Sequence, residues 1–398
     1  MLIETSNAAS HLTYCTNIHA GERWQEIFSR LQVNLPLIKA ETSPDQPMGV
    51  GLRLSAIATE ELADEEGLAA FQQFLADGGY YVFTINGFPY GPFHGQRVKE
   101  QVYQPDWSHD ERLIYSDRMV DVLAALLPDG MDGSISTVPG TFKPLASEPG
   151  MVEQITDNLI SHAAKLVEVE RITGKVIALA IEPEPYCFLE TIDETVRYVE
   201  DHLLASSAVN RLAELVGLSE ASAEDALRRH IGVCYDVCHA AVEYEEPRGS
   251  IEALRAAGIA IPKLQLSSAL RIPEVTSFLA EAIAPFDEPV YLHQVIERRG
   301  REFIRYLDLK DALGALDQAI GHEWRVHFHV PIFLDELEHF STTQDFLKQI
   351  LALHREQPIS DHLEVETYTW DVLPERYRGV DVSTAIAREL NWVRQELS

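Results

Sequence analysis

The sequence predicts an α/β fold, a (β/α)8 TIM barrel, and three observations carry that reading. Short apolar runs alternate with longer amphipathic stretches along the chain, as repeated βα units around a parallel sheet require. The runs are continuously apolar, as suits strands buried on both faces. Several of them end on Glu, Asp or His, and a parallel barrel keeps its active site at the C-terminal ends of its strands.

Strands are expected at 12–17, 49–55, 80–86, 133–138, 176–182, 231–236, 263–267, 326–331 and 363–367. Helical patterns fill 67–76, 116–127, 151–173 and 342–354 between them. Nine runs are one too many for eight barrel strands, and segment 268–323 is the expected source of the extra one. There, 290–296 and 303–309 flank Glu297-Arg298-Arg299-Gly300-Arg301-Glu302, which predicts a β-hairpin insertion at the barrel mouth. A second, helical insertion is expected over 191–229. No repeat, low-complexity tract or Pro/Gly/Ser-rich linker marks a boundary, so residues 1–398 read as a single barrel domain. A doubly wound open sheet is the main alternative. It normally has a Gly-rich turn after its first strand, and here that strand leads into Cys15-Thr16-Asn17-Ile18-His19-Ala20-Gly21-Glu22. No Walker A loop occurs either.

Charge excludes some partners. The 398 residues include 32 Lys+Arg against 63 Asp+Glu, a net charge of -31, which repels phosphate backbones and anionic membrane faces. Nucleic acid is therefore not an expected partner. Four cysteines (Cys15, Cys187, Cys234 and Cys238) form no C-x-x-C pair and read as reduced thiols. With no apolar N-terminal run and no stretch long enough to span a bilayer, a cytoplasmic protein is expected.

Four strand ends supply titratable groups. In Ala178-Leu179-Ala180-Ile181-Glu182-Pro183-Glu184, Pro183 stops the strand just after Glu182, a buried carboxylate that needs a partner. In Val233-Cys234-Tyr235-Asp236-Val237-Cys238-His239, Asp236 and His239 face one cavity if a helical turn begins there; the plainer reading of Asp236 is a helix N-cap. Alternation puts His327 and His329 on one strand face, with His329 nearer the mouth. Glu364 and Glu366 likewise share a face, and two like charges aimed into a barrel need a cation. Glu182, Asp236, His329 and Glu366 make a set suited to a divalent metal: Mn, Mg, Fe, Co or Zn. Gln265, His293 and His327 are further possible ligands. The aromatic, Gly/Pro-rich loop from Asn86 through Phe88 to His94 is expected to wall a substrate pocket, joined by Asn17, His19 and Trp370.

The strand-end Glu182, the Asp236/His239 pair, the strand histidine and Glu366 resemble the xylose isomerase-like barrel superfamily of sugar isomerases, ketose 3-epimerases and some endonucleases. The chain also resembles the EboE family, the barrel component of a bacterial metabolite-traffic gene cluster. The motifs that carry this resemblance are Tyr14-Cys15-Thr16-Asn17-Ile18-His19, Asn86-Gly87-Phe88-Pro89-Tyr90-Gly91, His327-Phe328-His329-Val330-Pro331 and Glu364-Val365-Glu366-Thr367-Tyr368-Thr369-Trp370. The resemblance implies a pathway handling a secondary-metabolite precursor, with other proteins of the cluster as partners. One departure is Gln265, where the superfamily strand often carries a metal-binding histidine.

The leading expectation is a metal-dependent isomerase or epimerase acting on a small polyol-like or sugar-like metabolite. Glu182 and Glu366 would move the proton as base and then acid, and His239 would bind a substrate hydroxyl. The alternatives are a metal-dependent phosphodiesterase of the endonuclease-like branch and a non-enzymatic metabolite-binding barrel.

Overall fold

The computed structural model describes residues 1–4, 7 and 9–398. Strand β1 (Leu2–Glu4) pairs antiparallel with β2 (Ala9–Tyr14). The chain then lays down β3 (Met48–Arg53), β4 (Tyr80–Asn86), β5 (Gly133–Thr137), β6 (Ile177–Ile181), β7 (Ile231–Asp236) and β8 (Lys263–Leu266), each parallel to the last. It leaves the barrel for an antiparallel sheet of β9 (Ala269–Ile272), β10 (Val295–Arg299), β11 (Glu302–Tyr306), β12 (Glu323–His329), β13 (Glu336–Leu337) and β14 (Phe340–Thr342). It returns as β15 (His362–Val365), which sits between β2 and β8. Eight parallel strands thus form the barrel, in the order β2-β15-β8-β7-β6-β5-β4-β3.

The seam between β2 and β3 closes the ring with little ladder. A single parallel bridge joins Cys15 and Gly51. Threonine hydroxyls supply other bonds across it. The Gly51 N–H donates to Thr13 Oγ1 (2.9 Å), that hydroxyl donates to Gly49 O (2.9 Å), and the Arg53 N–H donates to Thr16 Oγ1 (2.8 Å). Gly51 has to be glycine here, since a Cβ would stand 1.8 Å from Glu364 Oε2 and 2.6 Å from Tyr14 O.

Outside the strands lies a shell of helices. In Trp24–Thr42 the residues Ile27, Leu31, Leu35 and Ile38 recur at helical spacing and are buried. Trp24 and Phe28 stack on each other and meet Phe71 of Glu65–Gly78 edge-on, which locks two neighbouring helices together. Between β6 and β7 the chain forms the helices Ile192–Tyr198, Ser206–Val216 and Glu220–His230.

The extra run is 326–331, the eighth of the nine and outside segment 268–323, its expected source; it is not a barrel strand. It falls on β12, inside the antiparallel sheet, flanked by β10 and β9. It reads like a barrel strand because it too is covered on both faces. Trp324, Val326 and Phe328 pack into a second core with Leu270, Ile272 and Phe286, while His327 and His329 turn toward the barrel mouth. The hairpin is also tighter than its charge pattern suggests. Arg299 pairs with Glu302 across a turn at Gly300, whose φ is 64°. Glu297, expected in the connection, is instead a fully buried strand residue bonded to Arg299, Tyr306 and His322.

Candidate functional site

Glu182, Asp236 and Glu366 converge at the C-terminal mouth of the barrel, their carboxylate oxygens all within 4.8 Å of one another. Each is fixed from its own strand end. The Glu182 N–H donates to Thr137 O (3.0 Å), the Glu366 N–H to Leu266 O (3.1 Å), and Asp236 ends β7. Asp236 is the helix N-cap that the sequence allowed. Its Oδ1 caps the helix Val237–Val242, accepting from His239 N (2.9 Å) and from Ser267 Oγ (2.7 Å). Its Oδ2 is buried with no hydrogen-bond partner, and so is Glu182 Oε2. Glu366 Oε1 accepts from both Asn17 Nδ2 (2.7 Å) and Asn86 Nδ2 (3.1 Å).

The imidazoles are oriented by what their Nδ1 atoms face. His329 Nδ1 lies 2.9 Å from Glu366 O, and His239 Nδ1 lies 2.9 Å from Pro183 O. A carbonyl only accepts, so each Nδ1 carries the proton and each Nε2 presents a lone pair. His327 Nδ1 lies 2.7 Å from Gln294 Oε1. The amide orientation is set by Gln294 Nε2, which donates to Pro185 O (3.1 Å) and Tyr103 OH (3.0 Å), so His327 Nδ1 is also the donor. Two consequences follow. His329 Nε2 is buried without a partner. And His239 Nε2 and His327 Nε2 face each other at 3.1 Å, lone pair to lone pair. That contact is repulsive unless a proton or a cation lies with it.

Burial shapes the charges. It pushes Glu182 well above the usual carboxylate range, helped by the charges of Glu366 and Asp236. It raises Glu366 as well, against the pull of His329. It lifts Glu184 to about 8, although Tyr103 OH donates to its Oε1 at 2.7 Å. It holds His239 down to about 4 and His327 well below its ordinary value, so a proton shared between the two rings is disfavoured at neutral pH. Without a cation, the site is a set of buried acceptors short of donors.

The buried acceptor set fits a divalent cation. Glu182, Asp236 and Glu366 form one group, Asp236, His239 and His329 a second, and Glu184, His239 and His327 a third. Gln265 lies close enough to Glu366 to ease its ionisation slightly, yet its amide makes no hydrogen bond of proper geometry. His293 is committed elsewhere, with Nδ1 on His327 O (3.0 Å) and Nε2 on Glu288 (2.8 Å). Glu364 lies one layer below, where Lys263 neutralises it at 2.7 Å.

A small cavity opens over these groups, and Asn17, Asn86 and Phe88 line it. The other expected pocket residues lie elsewhere. His19 bonds Tyr14 OH (2.9 Å), His94 lines a separate outer groove beside Phe93, and Trp370 packs in the barrel core. Sequence reasoning missed Glu184, Tyr103, Gln294 and Tyr368, all near or lining the cavity. The second carboxylate in Glu182-Pro183-Glu184 was a usable signal for Glu184. Nothing local marks Gln294 or Tyr103.

No protein-family model matches the chain, and no curated protein matches it. Solved structures do. A xylose isomerase-like TIM barrel protein from Mycobacterium smegmatis, in complex with magnesium, aligns at a TM-score of 0.52 and 11% identity over 98% of this chain and 96% of that one. An IOLI protein with a binding zinc atom aligns at 0.48 and 13% over 98% of both chains. A xylose isomerase domain protein from Planctomyces limnophilus aligns at 0.46 and 15% over 91% and 93%. The chain therefore has the xylose isomerase-like TIM-barrel fold, with an antiparallel sheet inserted before its last strand.

Proposed function

We propose that this protein is a metal-dependent isomerase or epimerase acting on a small sugar-like or polyol-like metabolite, working in a metabolite-traffic pathway of the kind its EboE-like motifs imply. The observation that carries this reading is the buried excess of acceptors: the unpartnered oxygens of Glu182 and Asp236, the unpartnered His329 Nε2, and the facing lone pairs of His239 and His327. Burying so many acceptors without a donor costs several kcal/mol unless a cation satisfies them, at about 1–3 kcal/mol per group.

Glu182, Asp236, Glu366 and His329 would hold the metal. A divalent ion bound there supplies Lewis acidity toward adjacent carbonyl and hydroxyl oxygens. The magnesium in the Mycobacterium smegmatis barrel accords with that choice. Asn17 and Asn86 hold Glu366 through its Oε1. Glu182 and Glu366 would move the proton as base and then acid. Glu184, raised to about 8 in the metal-free site, would keep a proton there at neutral pH. His239 would bind a substrate hydroxyl.

One observation favours the phosphodiesterase alternative: the His239–His327 pair offers a second place for an ion beside the carboxylate group. The test is elemental analysis of protein purified without chelator, followed by turnover of an aldose/ketose panel. A divalent metal at substantial occupancy with isomerisation of a panel member supports the proposal. Absence of metal even after reconstitution would sink it. Two or more ions per chain with phosphodiester cleavage would favour the alternative.

A further inference from the structure

The cavity has two storeys of different chemistry. Its floor is the carboxylate and imidazole cluster with Asn17 and Asn86. Its upper walls are Phe88, Phe93, Val98, Val102, Tyr291 and Leu292. Two of the three tyrosine hydroxyls that could relieve this wall are already committed, leaving that of Tyr368. Tyr291 OH donates to Phe93 O (2.9 Å), and Tyr103 OH donates to Glu184. The one cationic side chain lining the cavity among the described residues is Lys99. Its Nζ is buried between Asp308 Oδ2 (2.7 Å) and Glu288 O (3.0 Å). The wall is also fixed in place. Val98 N–H and Lys99 N–H both donate to Val290 O at 2.8 Å, joining the segment after the aromatic loop to the inserted sheet.

These features sort possible substrates. A phosphate ester or a carboxylate would find the lysine taken and, even with a divalent ion in place, more carboxylates than one such ion neutralises, so it meets net repulsion. A bare polyol would satisfy the floor, but its remaining hydroxyls would press against carbon and lose their water without replacement. A molecule with hydroxyls at one end and carbon at the other matches both storeys.

We propose that the substrate is an uncharged, hydroxyl-bearing molecule with an apolar substituent, its hydroxyls on the carboxylate floor and its substituent between Val102, Phe93 and Leu292. The placement of the hydroxyl end rests on the metal reading above; the apolar storey stands on the wall residues alone.

The test is calorimetric titration of metal-loaded protein, its metal content checked by elemental analysis, with glycerol, glycerol 1-phosphate and the 1,2-diols from propane- to hexanediol. Affinity should rise about four-fold per added methylene. Glycerol 1-phosphate should bind no tighter than glycerol. Leu292→Asp and Val102→Asp should flatten the slope at unchanged metal content; should either fail to fold, Leu292→Ala and Val102→Ala should still make it shallower. A flat series, tightest binding by the phosphate, or no diol binding to metal-loaded protein overturns the proposal. If the protein takes up no metal, the metal reading fails by itself. The same series on that protein then decides the apolar storey, which a methylene slope sustains and a flat series overturns.

Discussion

Asp236 divides its two oxygens between structure and site, and that division decides how it should be mutated. Asp236→Ala removes the helix cap as well as a ligand, and losing such a cap costs roughly 1 kcal/mol. It also relieves repulsion from Glu182 and Glu366, so its net effect on stability mixes two opposed terms. Asp236→Asn separates them, because its amide oxygen can still accept from His239 N and Ser267 Oγ. We expect Asp236→Asn to fold with a melting temperature no lower than the parent's in the metal-free state and to lose metal affinity by more than about 100-fold. Groups that merely support a ligand already contribute 10–100-fold. Isothermal titration with Mn²⁺ or Zn²⁺ measures this, and Glu366→Ala should lose affinity likewise. An Asp236→Asn protein binding metal as tightly as the parent would show that Asp236 is not a ligand. At this scale the sequence was informative where a carboxylate ended an apolar run, as at Glu182 and Asp236. It was silent on Tyr103 and Gln294, whose importance lies in which atoms they turn toward Glu184 and His327, 81 and 33 residues away along the chain.

At the level of elements, β12 explains both a success and an error. Alternation correctly put His327 and His329 on one face. It could not reveal that the strand belongs to an inserted antiparallel sheet, because a strand sandwiched between a second core and the barrel mouth is as apolar as one inside the barrel. His327 and His329 therefore come from an insertion, not from the barrel itself, and the His327 ring is held by Gln294. We expect Gln294→Leu to leave the fold intact but free the His327 ring to change tautomer. Histidine NMR should show its Nδ1 proton lost from the hydrogen-bonded population, while His329 stays as in the parent. Gly51 tests the barrel itself. A Cβ at that position meets Glu364 Oε2 at 1.8 Å, so Gly51→Ala should destabilise the protein by about 3 kcal/mol, the upper end for an overpacked core. Denaturant unfolding within experimental error of the parent would contradict that.

For the whole molecule, two charge effects make separate predictions. The net charge of -31 leaves no field to hold a nucleic acid, and the densest basic cluster is internally satisfied: Arg298 pairs with Glu323 and Arg299 with Glu297. Gel-shift titration with duplex or abasic-site DNA at physiological salt should show no binding. The second effect concerns pH. Glu184 ionises near 4.5 when exposed but at about 8 in the fold, so the metal-free protein loses stability as pH rises from about 4.5 to about 8. His239 works in the other direction. Its pKa falls from 6.5 to about 4 on folding, so its contribution is present above 6.5 and lost as pH falls toward 4. Between pH 6.5 and 8 the buried carboxylates Glu184 and Glu243, both at about 8, outweigh the buried Met1 amine, whose fall from 8.0 to about 5 works the other way. The melting temperature of chelated protein should fall across that window and recover on adding a divalent metal, which stabilises the ionised carboxylates. A melting temperature that rises with pH in chelator would mean that these glutamates are not buried as protonated groups. The barrel as a whole was legible because repeated apolar runs, several with titratable ends, leave few other topologies. The size of the inserted sheet was not, since its hairpin hides buried charge, as at Glu297, inside what looks like a solvent turn.

The stitched seam beside Gly51 sets the order in which the molecule comes apart. Along the rest of the ring, neighbouring strands share parallel ladders, with one register shift at Val50/Gly51, whereas β2 and β3 share one bridge and a few bonds through Thr13 and Thr16 hydroxyls. A side-chain hydroxyl can rotate away without moving the backbone, so this edge can open without unfolding either strand. The amides of Gly51 and Arg53 should accordingly exchange with deuterium sooner than those of Ile135 or Leu179, deep in the opposite ladder. A Thr13→Val change, which keeps the shape and deletes the hydroxyl, should speed exchange at Gly51 without changing that at Ile135. The barrel would then be a ring with a built-in clasp, whose looseness can be tuned one hydroxyl at a time.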